Sequence, residues 1–170
     1  MMGRTHFLWV THNDLDSLRE VGLVLKSFEP DVICLELSES TLKRLLASKY
    51  RDSSEMCVAY EYAMRARKRV YFLETEQDKC QLLREISFFR IFLLLFQFVL
   101  FNLKNLILLR PPKKLKMSPN NWLWKNIVTE RDKIMAKRIK SIISNHKGKR
   151  ILFIIGKAHK MGILRRLECY

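Results

Sequence analysis

Two short apolar runs constrain this chain more than any other feature in it. Val32-Ile33-Cys34-Leu35-Glu36-Leu37 follows Pro30-Asp31, and Ile151-Leu152-Phe153-Ile154-Ile155 leads into Gly156. Runs this short, this continuous and this rich in β-branched residues read as strands covered on both faces, which is the habit of a parallel sheet between helices. His6 to Thr11 and Val70 to Leu73 are two further β-prone runs. Between the runs the apolar residues change to helical spacing. Leu15, Leu18, Val21, Val24, Leu25 and Phe28 predict a helix capped by Asn13 or Asp14 and stopped by Pro30. Ser38 or Ser40 caps a helix through Leu42, Leu45 and Leu46, and Ser54 caps another from Glu55 to about Arg67. A long helical stretch from Lys79 to Leu109, a basic linker over 110–120 and a helix from about Trp122 to Ile143 complete the order. The expected class is α/β, with a mostly parallel sheet of about four or more strands covered by helices in one domain over 1–170.

Such a sheet collects its functional groups at the carboxyl ends of its strands, where loops and helix N-termini converge. The first strand delivers His12, the second Glu36, the third Glu74 and the fourth His159. Glu36 interrupts an apolar strand, and a carboxylate buried there must be paired, hydrogen-bonded or metal-bound. Two imidazoles and two carboxylates suit a divalent metal ion, and they equally suit a general base beside an electrostatic anchor. No His-x-x-x-His or similar local spacing occurs, so any site is assembled from distant segments.

Composition narrows the setting. The formal charge is +15, from 32 Lys+Arg against 17 Asp+Glu, and it is one-sided. Residues 1–110 carry +2, whereas 111–170 carry +13 with only Glu130, Asp132 and Glu168 as acids. A field of that kind favours a polyanionic partner. Cys34, Cys57, Cys80 and Cys169 have no Cys-x-x-Cys spacing, so a reducing, cytoplasmic setting without disulfides is expected. No basic start followed by an apolar stretch marks a signal peptide at the N-terminus.

Four segments resemble one family. Ile154-Ile155-Gly156-Lys157-Ala158-His159-Lys160-Met161-Gly162-Ile163 is similar to the Gly-x-Gly-His-x-x-Gly-Ile type segment of TraB-domain (pheromone-shutdown) proteins, relatives of the Tiki metalloproteases. Glu130-Arg131-Asp132 with Met135-Ala136 resembles that family's Glu-Arg-Asp-x-x-Met-Ala signature, and Pro30 to Leu37 resembles its Pro-Asp-x-Val-x-x-Glu-Leu strand. Glu55-Met56 with Ala59 resembles its Glu-Met-x-x-Ala helix. The segments fall in family order along nearly the whole chain. The resemblance implies metal-dependent hydrolysis of a peptide or small ester, with His12, Glu36 and His159 holding a divalent ion and Glu55 or Glu74 acting as base. Gly156 matches the glycine of the histidine element, and Glu130, Arg131 and Asp132 either orient the ligands by hydrogen bonds or form an ordinary cluster of ion pairs at a helix start. Two departures bear on activity. Trp9 stands where the family has glycine before the first histidine, an indole expected to narrow or block the site, and Glu74-Thr75 stands where the family has Asp-Arg. A non-enzymatic protein that sequesters a peptide at a membrane is the alternative.

Residues 86–109 are the last feature. As a helix they extend about 36 Å, and Ile91 to Phe101 has ten apolar residues in eleven. Arg90, Gln97 and Lys104 recur every seven residues on one stripe, which disfavours a lone span. A core helix, a membrane-surface helix and an oligomer interface remain. Basic residues 110–116 and Trp122 and Trp124 favour attachment to an anionic membrane surface. Arg131, Lys133, Lys137, Arg138 and Lys140 can form a basic stripe, but no nucleic-acid-binding motif accompanies it, and nucleic acid ranks last among the partners.

Overall fold

The computed structural model describes residues 4–12, 14–75, 78 and 122–168, with side chains from Val128 onward in the last stretch. The stretch expected to be the long helix, Lys79 to Leu109, and the linker 110–120 lie outside the described residues, as do Cys80, Cys169 and the side chains of Trp122 and Trp124. Among the described residues no helix is long and apolar enough to cross a membrane.

In chain order the elements are β1 (Thr5–Val10), α1 (Leu15–Phe28), β2 (Val32–Leu35), α2 (Glu39–Leu46), α3 (Glu55–Arg65), β3 (Arg69–Phe72), α4 (Trp122–Asn145), β4 (Ile151–Gly156) and α5 (Lys160–Glu168). The four strands form one all-parallel sheet in the order β1-β4-β2-β3. The two apolar runs occupy its middle. Every residue of β2 and β4 is buried, while β1 and β3 lie at the edges and are partly exposed.

Strand alternation divides the core into two layers, because successive side chains point to opposite faces. Leu8, Val10, Ile33, Leu35, Leu152 and Ile154 pack under α1, α2 and α3 against Val21, Leu25, Leu42, Met56 and Ala59. Phe7, Trp9, Val32, Cys34, Ile151, Phe153 and Ile155 pack on the other face against Met135, Ile139 and Ile142 of α4 and Ile163 of α5. The architecture is α/β with helices on both faces of the sheet.

Caps fix where the helices begin. Asp14 accepts from Ser17 N at 3.1 Å, Ser38 from Thr41 N at 3.3 Å and Ser54 from Cys57 N at 3.5 Å. Helix α1 closes on Glu29 in the left-handed region (φ 45°) before Pro30. Strand β2 ends at Leu35, two residues before the expected Leu37. There Glu36 N still donates to Ile154 O at 3.1 Å, but Leu37 N folds back onto Leu35 O at 2.9 Å. That bend ends the ladder at the residue whose carboxylate enters the site.

Candidate functional site

The carboxyl ends of all four strands contribute to one polar cluster. Glu36 leaves the end of β2 and is buried among apolar strands. Its Oε2 accepts the Gly156 N–H from the last residue of β4, and its Oε1 faces His159 Nε2 at 3.1 Å and Arg131 Nη2 at 3.4 Å. Burial alone would push the Glu36 carboxyl up. The hydrogen bond and charge of His159, the Gly156 N–H and Arg131 outweigh it and hold the group below the ordinary carboxylate range.

His159 closes a single 3-10 turn, Lys157–His159, between β4 and α5. It is buried, and its other ring nitrogen, Nδ1, lies 2.5 Å from Asp132 Oδ1. A carboxylate only accepts, so Nδ1 carries the proton. Burial pulls the ring's pKa down, but Asp132 and Glu36 overcome that and lift it to about 9. His12 follows β1 and repeats the arrangement on the other side. Its Nδ1 donates to Glu55 Oε1, the first residue of α3, whose side chain is buried. The bond to Glu55 raises the His12 pKa against the effect of burial, and the charge of Glu36 adds to it. The His12 side chain is 52% exposed, so this ring, unlike His159, opens to solvent.

Gly156 sits against Glu36 and His12. A β-carbon built on it would stand 3.0 Å from both Glu36 Oε2 and His12 Nε2. The absent side chain therefore leaves a space about one atom wide, facing a carboxylate oxygen and an imidazole nitrogen. Each ring is anchored at Nδ1 by a buried carboxylate and presents Nε2 toward the Glu36–Gly156 region. Metal-ligating histidines are commonly oriented in this way. Imidazole and carboxylate are ligand types that a divalent ion takes, but among the described residues no group of three or more His, Cys, Asp or Glu side chains is placed to hold a metal ion.

Arg131 holds the outer side. Its guanidinium bonds Glu74 Oε1, through Nε at 2.6 Å and through Nη2, as well as Glu36. The residues expected at the strand ends thus meet: His12, Glu36 and His159 around Gly156, and Glu74 through Arg131. Glu55 and Asp132 join them through the histidines. Glu130 does not. It is 39% exposed and pairs with Lys133 at 3.6 Å, because its neighbours Arg131 and Asp132 take the inward positions of α4. Trp9, expected to narrow the site, packs with Phe7 in the core. The indole lies on the α4 and α5 side of the sheet and stacks on Phe7 at 5.7 Å and 8°. Thr75, where the resemblance leads one to expect arginine, bonds Asp78, its Oγ1 to Oδ2 at 2.8 Å.

Sequence reasoning missed Gly162. A β-carbon there would overlap the Asp132 carboxylate, at 2.6 Å from its Cγ. No family model matches this chain, and neither a curated protein nor a solved structure does.

Proposed function

We propose that this chain is a hydrolase of TraB type that acts on a peptide or small ester with a divalent ion held by His12, Glu36 and His159. The observation that carries the reading is the pair of imidazoles, each fixed at Nδ1 by a buried carboxylate with Nε2 turned toward Glu36. Charge supports it too. The cluster holds four carboxylates, Glu36, Glu55, Glu74 and Asp132, against one guanidinium, Arg131, so neutral rings leave a negative surplus that a cation offsets.

Each side chain then has a defined task. Glu55 and Asp132 fix the ring tautomers, and the Gly156 N–H and Arg131 keep Glu36 ionised. Glu74 gives Oε1 to Arg131, and among the described residues its Oε2 accepts no hydrogen bond. We assign to Oε2 the proton from the attacking water, which favours Glu74 over Glu55 as the base. When bound, a divalent ion lowers the pKa of water and polarises a carbonyl. Both rings must first lose the proton on Nε2.

Metal analysis of the purified full chain tests the reading. About one zinc, manganese or iron per chain, lost in Glu36→Ala and His159→Ala, is expected. A chain that takes up no stoichiometric ion from any of these would refute it. The sequence of 86–109, with the basic residues after it, supports placing this hydrolase at an anionic membrane surface. Co-sedimentation with phosphatidylserine vesicles but not with phosphatidylcholine vesicles is expected, and equal recovery with both would remove the membrane from the proposal.

A further inference from the structure

Helix α5 carries a glycine, Gly162, in its first turn, where alanine is favoured by about 1 kcal/mol. The neighbouring helix explains it. Asp132 of α4 is 4% exposed, and its carboxylate lies against the Gly162 backbone so closely that a β-carbon would overlap Oδ2 and stand 2.6 Å from Cγ and 3.2 Å from Cβ. Neither helix is free to draw back at this point. Arg166 donates from Nη1 to Gly162 O at 2.8 Å and from Nη2 to Thr129 O at 3.4 Å, tying α5 to the turn of α4 that precedes Asp132. Ile163, next to Gly162, is fully buried in the core shared with Met135 and Ile139. The carboxylate is thus confined between two helix backbones, with Oδ1 directed at His159 Nδ1.

We propose that Gly162 is a positioning residue: the space left by its missing side chain seats the Asp132 carboxylate, and through Asp132 it sets the tautomer and orientation of the His159 ring. The consequence for hydrolysis rests on the function proposed above, but the positioning does not. The pair also explains why a glycine follows the histidine by three residues. The chain returns over the site in one turn of α5, and only a residue without Cβ lets α4 deliver a carboxylate at that height.

The test is a mutant cycle of Gly162→Ala, Asp132→Ala and both together, in the full chain without added metal. Denaturant melts and the nitrogen and proton NMR signals of the His159 ring are recorded. Gly162→Ala is expected to lower the folding equilibrium constant about 10–100-fold, the range for overpacking a tight site. It should also abolish the downfield Nδ1–H signal of His159, as Asp132→Ala does. In the Asp132→Ala background the same glycine change should cost far less, since the carboxylate it collides with is gone and only the 3.2 Å approach to the residue-132 Cβ remains. If Gly162→Ala fails to fold, the double variant should still fold. A retained His159 Nδ1–H signal in Gly162→Ala, additive losses in the double variant, or failure of the double variant to fold while Asp132→Ala folds would each overturn the proposal. These readouts need no metal and no turnover, so the hydrolase reading can fail while Gly162 keeps its role, or the reverse. If both stand, Gly162→Ala also weakens metal binding by about 10–100-fold.

Discussion

Arg131 joins Glu36 to Glu74: its Nη2 lies 3.4 Å from Glu36 Oε1 and also contacts Glu74 Oε1. One guanidinium therefore serves two carboxylates that are 4% and 13% exposed. Removing it leaves Glu74 without its cation and Glu36 with only His159 and the Gly156 N–H. Breaking a buried pair costs about 3–5 kcal/mol, and because Arg131 is itself 27% exposed the loss here falls toward about 2–4 kcal/mol. Arg131→Met is expected to show that loss in urea denaturation at pH 7. Lysine at the same position should recover only part of it, since an ammonium lacks the planar fork. Equal stability of Arg131→Met and the parent would show that the carboxylates are held by other means.

Trp9 offers a prediction opposite in sign to the one its position in the sequence suggests. If the indole blocked the site, glycine there would raise metal affinity or activity. Instead the indole stacks on Phe7 and belongs to the core beneath α4 and α5, on the face away from Glu55 and α3. Trp9→Gly removes that packing and places a flexible residue inside an edge strand. A stability loss of about 2–4 kcal/mol is expected, below the full range for a buried tryptophan because this one is half-buried. Metal affinity per folded molecule should stay unchanged. Calorimetric melting together with metal titration distinguishes the two outcomes.

The same residue shows how far the sequence can be read. Alternation alone puts Phe7 and Trp9 on one face of β1 and Leu8 and Val10 on the other, so the indole's face was accessible in principle once a partner for Leu8 and Val10 was assigned. The continuous apolar runs of β2 and β4 were legible as covered strands, and Glu36 announced the site by its cost within one of them. The order β1-β4-β2-β3 was not legible, because strands joined by helical crossovers carry no local mark of their neighbours. The pairing of His12 with Glu55, 43 residues apart, depends on where the first residue of α3 meets the loop after β1, and that follows from packing rather than spacing. Gly162 was hidden for a similar reason. A glycine in a short helix declares its purpose only when the carboxylate pressed against it is known.

Asp78 supplies a pH dependence away from the candidate metal ligands. Burial pushes its carboxyl up, but the forked bonds of Arg138, Nη1 to Oδ2 at 2.6 Å and Nη2 to Oδ1 at 3.0 Å, and those of Thr75 outweigh it and hold its pKa below the ordinary value. A carboxyl whose pKa is depressed in the folded state contributes stability above its unfolded value of about 3.9, and loses it as pH falls through the folded value. Asp78→Asn is therefore expected to lower stability at pH 7 by roughly 1–3 kcal/mol, the range for hydrogen bonds to a charged group. The deficit should shrink below about pH 4. Denaturation midpoints from pH 7 down to pH 2.5 measure it. A deficit that stays constant over that range would mean that Asp78 contributes by shape rather than by charge.

Glu74 provides the sharpest test of the chemistry, because its role separates from metal binding and from folding. Glutamine at this position keeps the size of the side chain and an oxygen for Arg131, but it cannot accept a proton from water at neutral pH. If Glu74 Oε2 is the base, Glu74→Gln lowers kcat by about 100–10,000-fold and leaves bound metal and KM near parental values. Glu36→Gln should instead lose the ion, and Glu55→Gln should weaken its binding by about 10–100-fold through His12, without the isolated loss in kcat. Turnover of a peptide library and of nitrophenyl esters by the metal-loaded chain, with metal content measured on the same samples, separates the three variants. A Glu74→Gln chain that turns over at the parental rate would restrict Glu74 to holding Arg131 in place, and the proton acceptor would have to be sought at Glu55, the other candidate base.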